Sequence, residues 1–312
     1  MFKKYFIESV FEKMFTGTNE YNISIDKNGI ILIDYVAHNL GKRYNPAAIA
    51  LYALSQYNMF VDTGKDQYKE SFLNHANWLV DNLIDKGKFG VWHYDFPWIT
   101  PGYLCSPPWI SSMAQGLGIS VLVRACEMTK NVKYLEVAKK ALTSFEVPIS
   151  EGGVLYIDKK GDVWYEEYAC QKRAQVLNGV IFALIGVYEM YQYTKDKNAK
   201  EIFDKGIQTL KRRLSDFELN LVFFKSSKYD SNLLIYAGDK YHDFHIEQMK
   251  KLYEITKEEI FDEYQKRWES YKIKYGPNSK SKGRFIFILI YSIIYARFLR
   301  FYTRYVQEGA KR

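Results

Sequence analysis

Apolar residues recur at three- and four-residue intervals through Pro46–Phe60, Tyr68–Ile84, Trp109–Met128, Lys133–Phe145, Ala174–Tyr193, Lys200–Leu214, Tyr241–Ile255 and Glu258–Tyr271. That spacing keeps one face of a helix apolar. Short polar joins such as Thr129-Lys130-Asn131 and Thr194-Lys195-Asp196-Lys197 connect consecutive stretches. A short join forces the next helix to return beside the last, so the pattern predicts antiparallel helix pairs, the unit of bundles and α/α toroids.

Two hairpins interrupt the helices. Tyr21–Asp26 and Ile30–Tyr35 alternate about Lys27-Asn28-Gly29, and Val154–Asp158 and Asp162–Tyr165 alternate about Lys159-Lys160-Gly161. Asn-Gly is a strong hairpin signal because both residues tolerate positive φ. The second hairpin runs into Trp164-Tyr165-Glu166-Glu167-Tyr168, ahead of a helix carrying Val176-Leu177-Asn178-Gly179. Two carboxylates and two tyrosines therefore fall on a loop with little reason to be buried, since Glu is seldom buried without a partner. Loops on a rigid scaffold are where catalytic residues concentrate. Trp92–Trp98 and Ser106–Trp109 are aromatic and proline-punctuated. They read either as a loop closing one end of the core or as a platform stacking on sugar rings.

A chain of 312 residues suffices for one large domain or two ordinary ones. Aromatic residues make up 17% of it, with 27 Tyr and 20 Phe, a composition that suits a carbohydrate site. The net charge of +8 favours an anionic partner. It reads as thinly spread, with no basic block or nucleic-acid signature, so an acidic glycan or membrane proximity is expected and nucleic acid is not. Cys105, Cys126 and Cys170 form no CxxC pair and leave one over, which argues against a disulfide scaffold and a structural zinc. No His/Asp/Glu cluster has metal spacing, so neither metal nor cofactor is expected. Met1–Phe15 reads as an amphipathic helix and not a secretory signal, which makes the cytoplasm the expected compartment.

Several motifs in one order resemble a known family. Arg43-Tyr44-Asn45-Pro46, Ser112-Met113-Ala114-Gln115-Gly116, Trp164-Tyr165-Glu166-Glu167-Tyr168, Val176-Leu177-Asn178-Gly179, Tyr229-Asp230 and Tyr241-His242 with His245-Ile246 are similar to the C-terminal domain of glucuronyl C5-epimerases. The resemblance spans roughly Tyr44 to Tyr271. It implies an incomplete α/α barrel, a toroid of antiparallel helix pairs with small β-hairpins near the site. It also implies conversion of D-glucuronate to L-iduronate within a heparan-type polysaccharide. Carried over motif by motif, the catalytic residues are Glu167, Tyr168, Tyr229 and Tyr241. Trp109, Gln115, Arg173, Asn178, His242 and His245 are expected to bind substrate. The chain departs from the pattern at Ala169, where the animal enzymes have proline, and at Ser231-Asn232. No counterpart of their β-sandwich is expected in these residues, which bears on substrate specificity more than on chemistry.

Inverting the carbon beside a uronate carboxylate needs a base on one face, an acid on the other, and neutralisation of the carboxylate. A tyrosine donates protons at neutral pH. As a base it needs a nearby cation or donor, for which Lys172, Arg173, His242 and His245 are candidates. Glu167 serves as the opposing base or as a protonated acid bonded to the substrate carboxylate. The bland alternatives are a helix-entrance glutamate paired with Lys172 or Arg173, and half-buried core tyrosines at 229 and 241. A lyase abstracting the same proton and a non-catalytic glycan-binding module are the competing functions.

The expected segments are 1–43, an N-terminal helix and hairpin; 44–275, the barrel; and 276–312, an apolar and basic helix. Phe285–Ala296 has no charge and is too short to span a bilayer. Arg297, Arg300 and Arg304 follow at helical spacing. The stretch reads as a buried or homodimer-interface helix, or as an interfacial helix at the inner face of a membrane. The expected partner is an acidic polysaccharide or a lipid-linked oligosaccharide.

Overall fold

The computed structural model describes residues 2–8, 10–16, 21–100, 103–170, 175–232, 236–291 and 297, with backbone alone at 99, 100 and 103. The chain divides into two compact units, Met1–Trp98 with Cys105–Arg213, and Ile99–Leu104 with Leu214–Arg312. The break after Arg213 falls inside the stretch expected to form a single barrel.

In the first unit a short helix α1 (Val10–Phe15) precedes α2 (Pro46–Thr63), α3 (Asp66–Asp81), α4 (Ser112–Thr129), α5 (Val132–Thr143), α6 (Leu177–Thr194) and α7 (Lys197–Arg213). The six long helices form three antiparallel pairs. In α2, α4 and α6 almost every position of the first three turns is buried, whereas α3, α5 and α7 bury a single stripe each. Inner helices are apolar all round because both faces meet protein, and outer helices keep one solvated face. This is the two-layer plan of an α/α toroid. Close approach of α4 to α6 depends on glycine: a Cβ at Gly186 would stand 1.9 Å from the Gly116 carbonyl oxygen.

The N-termini of α2 and α4 are set by side-chain caps. Asn45 accepts from the Ala48 N–H and Ser111 from the Ala114 N–H, satisfying backbone donors that have no partner within the helix. The first hairpin forms as expected, Asn22–Ile25 against Ile31–Asp34, with Lys42–Arg43 as a third strand. The second pairs Leu155–Ile157 with Val163–Tyr165.

The N-terminus departs from expectation. Among the described residues of that stretch only Val10–Phe15 is helical, and Phe2 and Tyr5 give their backbone groups to side chains elsewhere. The Tyr5 N–H and C=O both bond the amide of Asn58, and the Phe2 N–H donates to Glu127. The cysteine expectation is also corrected: Cys105 is joined to Cys170 in a disulfide with Cα atoms 5.3 Å apart, and the odd one out is the buried Cys126. The bridge links positions 65 residues apart, and such connectivity leaves no local spacing signal.

The second unit holds the hairpin Glu218–Asn220 with Lys225–Ser227 and the helices α8 (Gly238–Thr256) and α9 (Glu259–Tyr275), followed by a helix over 282–291. Leu219, Phe224, Tyr275 and Phe287 form its local core, in which Phe224 stacks on Phe287 at 4.1 Å. The C-terminal apolar stretch is thus helical and half-docked as far as Tyr291. Residues 292–296, Arg300 and Arg304 lie outside the described residues. Among the described residues no helix is long and apolar enough to cross a membrane.

Candidate active site

In the first unit the expected loop is buried. Glu166 is 1% exposed, and Glu167 and Tyr168 are each 8% exposed. The hairpin delivers these residues to the first turns of the inner helices. The Glu166 N–H donates to the Val154 carbonyl, and its own carbonyl accepts from the Ser112 N–H at 3.0 Å, at the start of α4. Ser112 Oγ donates to the Tyr165 carbonyl, and the Glu166 carboxylate accepts from the Gln175 N–H just before α6.

Glu167 rests on α6 itself. A Cβ at Gly179 would fall 1.9 Å from Glu167 Oε2 and 2.6 Å from its Cδ, so the carboxylate occupies the space that any side chain at 179 would fill. Gly179 is the third residue of a helix whose N-cap, Val176, offers no capping side chain. The first turn of α2 reaches the same place, where the Ala47 N–H donates to Tyr94 Oη at 3.4 Å.

Tyr94 is the residue that the sequence reading passed over. Its ring stacks on Trp109 at 3.9 Å, and Trp109 lies 5.9 Å from the Tyr168 ring. Complete burial pushes the Tyr94 phenol well above its ordinary value, and the neighbouring charge of Glu167 adds to the shift. The signal available was the Trp92–Trp98 segment, whose alternating aromatics did not reveal which ring turns inward.

The first turns of α2, α4 and α6 therefore converge on Tyr94, Glu166 and Glu167. At the other end, Arg124 of α4 makes a two-pronged pair with Glu189 of α6 at 2.6 and 2.7 Å and lies 5.4 Å over the Tyr57 ring of α2. The three inner helices run in one direction, with the positive ends of their dipoles gathered at the glutamates. Each such terminus favours an adjacent anion by about 0.3–1 kcal/mol.

The other expected binding residues of this unit have different fates. Gln115 is fully buried: its amide oxygen accepts from the Trp92 N–H, and its nitrogen donates to Gly90 O, Ala141 O and Ser144 Oγ. These bonds tie elements of the core together. Asn178 is buried in the first turn of α6 beside Gly179. Trp109 donates its indole N–H to the Phe96 carbonyl and presents its face to Tyr94. Lys172 and Arg173 lie outside the described residues. The disulfide anchors Cys170 two residues beyond Tyr168, with fully buried Cys105 as its other end.

In the second unit Tyr229 and Tyr241 are half-buried and meet edge to face at 5.1 Å. Lys240 places its ammonium 5.7 Å over the Tyr241 ring. Lys228, before Tyr229, has its ammonium pulled down by burial. The nearby cations or donors expected from the sequence are Lys172, Arg173, His242 and His245. His242 and His245 instead bracket Ser227 Oγ, at 2.8 and 2.7 Å from their Nδ1 atoms, while His242 Nε2 lies 3.1 Å from the Trp268 carbonyl. The Ser227 N–H also donates to His242 Nδ1. That bond leaves Nε2 as the protonated nitrogen, donating to Trp268. Burial pushes both imidazoles down, His245 furthest. His242 also lines a cavity of about 300 Å³ with Lys225, Asp239, Asp243 and Lys272. Among the described residues no cluster of three or more His, Cys, Asp or Glu could hold a metal ion.

Residues 85–270 match the family model of the D-glucuronyl C5-epimerase C-terminus. The chain belongs to the D-glucuronyl C5-epimerase family. It is 32% identical over 234 residues to the D-glucuronyl C5-epimerase of Caenorhabditis elegans, a match covering 69% of this chain and 37% of the nematode protein. This member of the family therefore corresponds to well under half of that enzyme's length. An uncharacterized protein of Methanocaldococcus jannaschii is 31% identical over 214 residues, covering 64% of this chain and 67% of its own. Among solved structures, a GH76 α-mannanase of Bacteroides thetaiotaomicron shares the α/α toroid fold, with a TM-score of 0.50 at 12% identity over 78% of this chain and 61% of its own. Glu167 and Tyr168 fall within the matched C5-epimerase segment, as do Tyr94, Gly179, Tyr229 and Tyr241.

Proposed function

We propose that this chain inverts C5 of D-glucuronate residues, giving L-iduronate, in an acidic polysaccharide or a lipid-linked oligosaccharide. The carrying observation is the seat of Glu167 on Gly179, beside Tyr94, Trp109 and Tyr168, where three helix N-termini converge. A carboxylate held there is fixed in position beside buried aromatic rings.

The C5 proton becomes acidic only as charge spreads into the neighbouring carboxylate. Positive helix ends stabilise that charge without having to reorganise as it develops. Glu167 takes the C5 proton, or in protonated form bonds the substrate carboxylate while a tyrosine takes it. By the order of the family motifs, Tyr168, Tyr229 and Tyr241 are assigned the remaining proton transfers. No bond of the chain backbone breaks, so glycan length is conserved.

The test is product analysis. Purified protein incubated with a glucuronate-containing oligosaccharide gives iduronate signals by NMR with unchanged chain length. Unsaturated, ultraviolet-absorbing ends would identify a lyase, and binding without any product would identify a glycan-binding module.

A further inference from the structure

The positive charge of the chain is less evenly spread than its composition suggests. Residues 271–312 carry ten of the 44 Lys and Arg but one of the 36 Asp and Glu, a net +9. The preceding 270 residues are therefore close to neutral, at net −1. All of the excess sits in the C-terminal segment of the second unit.

The described part of that unit also exposes a contiguous apolar surface. Helix 282–291 buries Phe287 against Phe224 and turns Phe285, Ile286, Leu289 and Ile290 outward, Phe285 being 72% exposed. Its first turn abuts the tip of the 218–227 hairpin, where a Cβ at Gly283 would stand 1.9 Å from the Phe223 carbonyl oxygen. At that tip Val222 is 99% exposed and Phe223 is exposed beside it. Tips of antiparallel hairpins are ordinarily polar, because nothing covers them. Lys280, Lys282 and Arg297 are exposed on the same segment, and Arg284 is held by Asp239.

We propose that this face is a docking surface for an anionic lipid bilayer, with Val222, Phe223 and the outward side of helix 282–291 entering the interfacial layer and the lysines meeting lipid phosphates. Apolar insertion combined with basic attraction is the combination by which interfacial elements hold reversibly to membranes. A soluble polyanion would satisfy the charges and leave the apolar tip in water. A second copy docked face to face would bring two segments of net +9 together, which like-charge repulsion opposes. The proposal does not depend on the reaction assigned to Glu167 and the tyrosines.

The experiment is sedimentation of the full chain with vesicles of phosphatidylcholine alone and of equal parts phosphatidylcholine and phosphatidylglycerol. The chain pellets with the anionic vesicles only and is released as salt is raised. Val222→Ser with Phe223→Ser weakens vesicle affinity at least roughly tenfold, from lost apolar burial. Lys280→Gln and Lys282→Gln each weaken it about fivefold. These side chains are exposed, so the variants keep the wild-type melting curve and any epimerase activity on soluble oligosaccharide. Should the tip variant misfold, Phe285→Ser with Leu289→Ser tests the same face. The proposal is overturned if the chain ignores anionic vesicles or if both apolar variants bind them as wild type does. It also fails if the tip variant dissolves a homodimer that never binds vesicles.

Discussion

Gly179→Ala isolates the seat of Glu167 from the fold around it. The new methyl falls 1.9 Å from Oε2, 2.6 Å from Cδ and 2.8 Å from Cβ of Glu167, so the glutamate must move by more than an ångström. Gly179 lies in the first turn of α6 without positive φ, so alanine is conformationally acceptable there. Replacing a helical glycine stabilises by roughly 0.5–1 kcal/mol, and overpacking costs about 1–3 kcal/mol. The net effect on stability runs from nothing to about 2.5 kcal/mol, within what a domain of ordinary stability tolerates. Displacement of a positioned group by about 1 Å costs on the order of a hundredfold in rate, and loss of an acid–base group costs about a hundred- to ten-thousandfold. Gly179→Ala should therefore stay folded in a urea melt while losing at least about a hundredfold in iduronate formation. In a Glu167→Gln background the same change should cost nothing more, because both act through one carboxylate. Wild-type activity in Gly179→Ala, or a full second loss in the double variant, would refute the reasoning.

Tyr241→Phe and Tyr229→Phe keep the ring contact and remove only the hydroxyl, so each should lower turnover about a hundredfold or more with an unchanged melt; near-normal activity in both would remove the pair from the chemistry. Peptide mapping without reductant should recover Cys105 linked to Cys170, and reduction should lower stability by about 4 kcal/mol on the chain-entropy estimate for a closed loop of this length; free thiols at both positions in native protein would contradict this. The bridge also bears on the expected cytoplasmic location, since disulfides persist where the compartment is oxidising. His242 and His245 are buried with their pKa below the ordinary 6.5, so the unfolded chain binds protons that the folded one refuses. Their stabilisation is complete above about pH 6.5 and is lost as pH falls below it, so urea midpoints should drop between about pH 7 and pH 5, less steeply in His245→Asn.

The helix pairs were legible because a two-layer toroid gives each layer its own signature. The outer α3, α5 and α7 show a clean stripe, and the inner α2, α4 and α6 show long apolar runs with small residues for close approach. Both hairpins were legible from their Gly turns. What failed was burial of polar groups. Gln115 reads as an accessible amide, yet it satisfies backbone groups of other elements deep in the core, and such partners are set by tertiary packing alone. His245 is fully buried for the same reason, and Glu167 is tucked against a glycine twelve residues away in sequence. The Tyr94–Trp109 stack and the Cys105–Cys170 bridge are long-range pairings with no local pattern to announce them. The N-terminal segment had helical periodicity, but Asn58 and Glu127 take its backbone groups instead.

Hydrogen exchange at the reacting carbon tests the central claim most directly. The wild-type chain, Glu167→Gln and Gly179→Ala are incubated with one glucuronate-containing oligosaccharide in deuterated water, and the recovered sugar is read by NMR and mass spectrometry. Two-sided proton transfer at C5 predicts deuterium at C5 of both glucuronate and iduronate residues with wild type, unchanged chain length, and little label with either variant. Absence of label across a panel of uronate glycans, or label equally fast in Glu167→Gln, would contradict it.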